Sequence, residues 1–272
     1  MSRSLKLFTL FGTPVRVNYT WPIAPILITI ALGTSLTGLD SPALTYGFSA
    51  LIALWLVASI LLHEFAHILV ARRLGISTSG ITLFALGGVS HIDEDETGPG
   101  KDLAVSIAGP LVSIALGLAL GVVAFLLDAF FGLPTCAELH REAEEEYFSA
   151  LGSSTGERVR INFGPCPMGP IFPVLLFNWL AIANIIIGLF NLLPLFPLDG
   201  GRILSAILWG ITSNRQRGIR IAALVGQLGA AAMIAYGAYN LFFGELLIGV
   251  WFIAIGVFLM EAAVGTSHSR SP

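Results

Sequence analysis

His63-Glu64-Phe65-Ala66-His67 lies inside an apolar run, Leu51 to Val70, that is otherwise free of charge. Two imidazoles four residues apart on a helix differ by only about 40° around its axis, so they share one face. One helix can therefore offer both to a metal, while the Glu beside the first His reaches a metal-activated water. That combination is the zinc-hydrolase signature. A carboxylate and two imidazoles are expensive in lipid, and such residues mark a functional site by default. The chemistry implied is hydrolysis, and its setting is a membrane.

A catalytic zinc takes three protein ligands and leaves one position for water, so a third ligand must come from elsewhere in the chain. His91 is one option, but it lies in a Gly-rich and acidic stretch with Asp93, Glu94, Asp95 and Glu96 that reads as a cytoplasmic loop. Those acidic residues could chelate weakly, though a charge run of this kind is usually solvated. Asp199 is the better candidate. It ends Asn191-Leu192-Leu193-Pro194-Leu195-Phe196-Pro197-Leu198-Asp199, where two prolines break an apolar run. A carboxylate there is expected at membrane depth, on extended backbone.

The elements that must position these groups follow from composition. The chain is 55% hydrophobic and 11% charged, against about 25% charged in a soluble domain. That excludes a water-facing surface of ordinary composition. Apolar runs of about 20 residues predict some six transmembrane helices. They fall near Val17–Leu36, Phe48–Val70, Leu103–Phe131, Ile171–Leu195, Ile219–Phe243 and Leu246–Met260. The first lacks a small-residue cleavage site and reads as a retained span.

With the N-terminus in the cytoplasm, eleven of the 14 Lys and Arg residues fall inside, and only Arg141, Arg158 and Arg160 fall outside. The expected location is thus the cell membrane, with both termini cytoplasmic. The outside loop, residues 132–170, is acidic and contains Cys136 and Cys166, the only two cysteines, so a disulfide between them is plausible there. Leu7–Phe11 and Val15–Tyr19, split by Gly12-Thr13-Pro14, read as a strand pair. Gly80–Phe84, followed by Gly87-Gly88-Val89, reads as another strand near the cytoplasmic face. The expected fold is a mainly α membrane protein with a small β-sheet at that face, formed by residues 1–272 as one domain. Gly218, Ala222, Gly226 and Ala230, at four-residue spacing, form a small-residue face for close helix packing.

His63-Glu64-Phe65-Ala66-His67 on one span and Asn191 through Gly201 after a later one resemble the site-2 protease family of intramembrane zinc metalloproteases. Gly87-Gly88 and Ala108-Gly109-Pro110 support the resemblance, which covers most of the chain. The layout is similar to the six-span archaeal and bacterial branch. No extracytoplasmic peptide-binding domain is expected between the third and fourth spans, and no regulatory domain after the sixth. The resemblance implies His63, His67 and Asp199 as ligands of one Zn2+ per chain, and Glu64 as general base. Asn191 matches a family position near the substrate carbonyl, where it could stabilise an oxyanion; its bland role is interhelical contact. The implied substrate is a single-pass protein cleaved in the bilayer by regulated intramembrane proteolysis. An unwound segment of it could add to the edge of the Gly80–Val89 strand, with Gly87 and Gly88 as its substrate-binding residues.

No nucleic-acid partner is expected. The alternatives are a metal-ion transporter and a catalytically inactive scaffold. A transporter needs polar residues on several spans, and most spans here are nearly bare of them. An intact Glu64 argues against the scaffold.

Overall fold

A computed structural model of the chain describes residues 4–35, 41–84, 87–93, 98–131 and 171–268. The elements are β1 (Ser4–Leu10), β2 (Thr13–Asn18), α1 (Ile23–Ser35), α2 (Pro42–Arg73), β3 (Thr78–Phe84), β4 (Gly87–Ile92) and α3 (Pro99–Phe131). They continue with α4 (Ile171–Asn191), α5 (Asp199–Thr212), α6 (Arg215–Phe242) and α7 (Leu246–His268).

The strands form one sheet in the order β1-β2-β3-β4. Alternation in β2 buries Thr13, Val15 and Val17 on one face. The β1–β2 turn is Phe11-Gly12, both with positive φ, the pattern of a type I′ two-residue hairpin. It comes one residue before the expected turn, and Thr13 and Pro14 already pair with β1. β2 and β3 run parallel. Parallel neighbours need a crossover, and α1 and α2 are the segments that intervene. β3 is therefore hydrogen-bonded on both sides, by β2 and by β4. The edge foreseen for the Gly80–Val89 run thus belongs to β4 and not to Gly80–Phe84.

Among the described residues, α2, α3, α4, α6 and α7 are long and apolar enough to cross a membrane. Between 22% and 33% of each apolar stretch is buried within the protein. Most of that surface therefore faces outward, which water would oppose and lipid would not. The chain is a multi-pass membrane protein. The first expected span departs from this pattern among the described residues: strand β2 occupies it to Asn18, and the described part of α1 is 13 residues long, about 20 Å at 1.5 Å per residue.

Contacts divide the chain into two compact units. One comprises Met1–Trp21, Ala58–Leu116 and Asn184–Pro272; the other comprises Pro22–Val57 and Gly117–Ala183. In the first, α6 packs against both α5 and α7. Its small-residue face, Gly218, Ala222, Gly226 and Ala230, is buried as expected. A Cβ at Gly218 would stand 2.5 Å from the Ser205 carbonyl oxygen of α5. Phe196 fills a core with Ala222, Ala223 and Ala263. Ala71, Ile76 and Val105, with Ile92, join the end of α2 to the sheet and to α3. The second unit has its own core of Phe48, Ile52 and Leu180. The loop of residues 132–170, with Cys136, Cys166 and their possible bridge, lies outside the described residues, as do Glu94, Asp95 and Glu96.

Candidate metal centre

The HExxH segment occupies the C-terminal part of α2, and its helical period brings the His63 and His67 rings to 4.9 Å between centroids. Both side chains are buried, at 4% and 5% exposure. Asp199 reaches them from α5. Its Oδ2 lies 2.9 Å from His63 Nε2 and 3.3 Å from His67 Nε2. These three residues are the one group of potential metal ligands among the described residues, with ligand atoms all within 4.8 Å of one another.

Asp199 is the first residue of a helix, not part of an extended segment. α4 ends at Asn191, and the turn that carries Pro194 and Pro197 leads to Leu198 in extended conformation at the α5 N-cap. A carboxylate in the first turn of a helix is favoured by the helix dipole. Gly200 and Gly201 are buried beneath the preceding turn, where a Cβ at Gly201 would stand 2.7 Å from the Phe196 nitrogen. They permit that close approach.

One stripe of α3 holds the other side of both imidazoles. His67 Nδ1 donates to the Val105 carbonyl oxygen at 2.7 Å, and His63 Nδ1 lies 2.9 Å from Ser113 Oγ. Midway between them, at four-residue spacing, Gly109 faces the rings, and a Cβ there would stand 2.6 Å from His63 Nε2 and closer still to His67. Pro110, next to it, lies inside α3 and cannot donate to the helical ladder in that turn. In the sequence Gly109 stands out only within the Ala108-Gly109-Pro110 motif, and neither Ser113 nor Val105 belongs to a motif. The signal available was the pair Ser106 and Ser113 in a span otherwise apolar as far as Asp128.

This hydrogen bonding tests whether a cation fits. A carbonyl oxygen only accepts, so His67 Nδ1 carries a proton, and in the neutral ring Nε2 is then a bare acceptor. It faces the carboxylate oxygen of Asp199 across 3.3 Å. Two bare acceptors at that separation are reconciled by a proton or by a metal ion between them. Two imidazole nitrogens and a carboxylate oxygen are donors that zinc accepts. The residues fit a metal ion.

Glu64 is 9% exposed and sits beside the cluster, with its Oε2 accepting from Ser90 Oγ at 2.6 Å. β4 passes so close that a Cβ at Gly88 would stand 2.6 Å from Glu64 Cγ. Glu64, His63, His67, Asp199, Gly87 and Gly88 all line one cavity of about 370 Å³. Its apolar lining includes Ile60, Ile186, Phe190 and Phe258. Asn191 also lines it, with Nδ2 donating to the Ile187 carbonyl of its own helix. His91 stays apart. It lies on β4, not in a loop, with Nε2 2.9 Å from Thr82 Oγ1. Arg202, one turn along α5 from Asp199, pairs with Asp102 of α3 at 3.0 Å and ties the two helices that frame the cluster.

Comparison with known proteins agrees with this geometry. Residues 51–236 match Peptidase family M50. A Synechocystis sp. protein, provisionally named a zinc metalloprotease, is 32% identical over 99% of this chain and 61% of its own length. A Mycobacterium tuberculosis protein with the same provisional description is 34% identical over 97% of this chain and 58% of its own. The chain thus spans about three fifths of the length of these curated relatives. The solved structure of a site-2 protease from Methanocaldococcus jannaschii superposes with a TM-score of 0.59 at 26% identity, covering 99% of this chain and 98% of that one. With a family match across most of its length, the chain belongs to Peptidase family M50.

Proposed function

We propose that this chain is an intramembrane zinc metalloprotease that hydrolyses a peptide bond in or beside the transmembrane segment of a membrane-anchored protein. The observation that carries this reading is the convergence of His63, His67 and Asp199 beside Glu64, on the wall of a cavity set among apolar helices. His63, His67 and Asp199 hold the metal, one ion per chain. When bound, zinc supplies Lewis acidity, which polarises an oxygen nucleophile and the scissile carbonyl.

Glu64 takes a proton from the attacking water as its oxygen bonds to the carbonyl carbon. It returns that proton to the amide nitrogen as the C–N bond breaks. Val105, Gly109 and Ser113 keep the imidazoles turned so that Nε2 faces the metal. Asn191 is the candidate donor to the developing oxyanion: one Nδ2 proton is held by the Ile187 carbonyl, and the amide has a second to donate.

A peptide bond in a helix is shielded by its own hydrogen bonds, so the substrate must unwind. β4 supports a mode for this: its outer edge is unpaired among the described residues, and Gly87 and Gly88 border the cavity. An unwound segment adds to that edge by main-chain hydrogen bonds. The Lys and Arg distribution supports a cell-membrane protein with both termini cytoplasmic. A single-pass substrate cut in a regulated step is the family-derived expectation.

The test is zinc content and cleavage of a transmembrane peptide by detergent-purified protein. Wild type is expected to hold near-stoichiometric zinc and to cleave. His67→Ala and Asp199→Ala are expected to lose zinc, and Glu64→Gln to keep it without cleaving. Full zinc in Asp199→Ala would remove Asp199 from the ligand set.

A further inference from the structure

Ser90 touches Glu64 at two points. Its hydroxyl oxygen lies 2.6 Å from Glu64 Oε2 and 2.9 Å from the Glu64 carbonyl oxygen. A hydroxyl has one proton to donate, and the shorter contact, to the carboxyl oxygen, is the better placed to take it. The placement follows from strand geometry. Gly88, Ser90 and Ile92 turn inward on β4 while Val89 and His91 face outward. Pairing of Leu83 with Gly88 and of Ile81 with Ser90 fixes that register, and Ile81 and Leu83 are buried on β3. Gly88 lets the strand close on Glu64, and two residues on the strand delivers a hydroxyl to the carboxylate.

A glutamate has three side-chain torsions, and one bonded oxygen removes most of that freedom. We propose that Ser90 is a positioning residue for Glu64: its hydroxyl holds Oε2 and leaves Oε1 to exchange protons with the water and the leaving nitrogen. This rests on Glu64 being the base of the proposed reaction. The same strand then has two duties. Its outer edge aligns the unwound substrate, and its inner face aligns the base, so one backbone sets the register of the scissile bond against the group that acts on it.

The experiment uses full-length, zinc-loaded protein and a tagged transmembrane peptide that the wild type cleaves. Ser90→Ala is expected to lower kcat roughly 10- to 100-fold, the usual effect of removing such an outer partner, with KM and zinc content unchanged. Ser90→Thr keeps the hydroxyl and is expected to restore most of the rate. In a Glu64→Gln background, adding Ser90→Ala is expected to leave peptide binding as it was. An unchanged kcat in Ser90→Ala, a defect confined to KM, or a Ser90→Thr as slow as Ser90→Ala would each overturn the proposal. A Glu64→Gln that cleaves like wild type would fail differently, removing the base itself and Ser90's role with it.

Discussion

His63 and His67 each present Nε2 to Asp199 because Nδ1 is already engaged, by Ser113 in one case and by the Val105 carbonyl in the other. Outer partners of this kind orient metal ligands and typically contribute 10- to 100-fold in affinity. Ser113→Ala is therefore expected to weaken zinc binding by roughly that factor, measured by competition with a chelating dye. Gly109→Ala should do more harm, because its new methyl would press on both rings and the helix backbone that carries it cannot yield. Zinc affinity unchanged in both variants would mean that α3 does not hold the imidazoles. At this scale the HExxH pair was legible, since one helix period sets its geometry. Ser113 and Val105 were not, because they meet His63 and His67 across sequence separations of 50 and 38 residues.

The elements differ in how openly the chain announces them. The strand pair at the start and the strand after α2 follow from local alternation. Their order does not, because β2 pairs with β3 across the whole of α1 and α2. That parallel pairing is what makes β4 the outer strand and puts β3 inside. Val89 is 45% exposed on β4 and borders the cavity, so it should contact a docked segment. Val89→Asp is expected to raise KM about tenfold, equivalent to about 1.4 kcal/mol, with zinc content and kcat retained. A KM equal to wild type would argue against docking on β4. α5 escaped the sequence reading because its first turn contains two glycines after a proline-rich turn, which mimics a loop. Packing against α6 overrides that local weakness, as close approach at Gly218 makes plain.

For the molecule as a whole, an apolar exterior and a buried pair of histidines impose opposite demands. Lipid covers the first, and a cation reconciles the second with Asp199. If zinc binds only the folded chain, its removal should lower stability by mass action, about 2.7 kcal/mol at a metal concentration of 100 Kd. A chelator is expected to lower the thermal midpoint in detergent and to abolish cleavage, with zinc restoring both. A midpoint indifferent to chelation would show that the cluster folds without a cation.

The sequence by itself determined the membrane setting, the helical face shared by His63 and His67, and the break that frees Asp199, because each is a local pattern of apolarity, period or proline. Only the tertiary structure decided that Asp199 begins a helix and meets both Nε2 atoms. It also decided that Gly109 and Ser113 back the imidazoles and that Ser90 reaches Glu64. These contacts join segments far apart in the chain, and their distances are set by how closely backbones can approach, which no local pattern encodes.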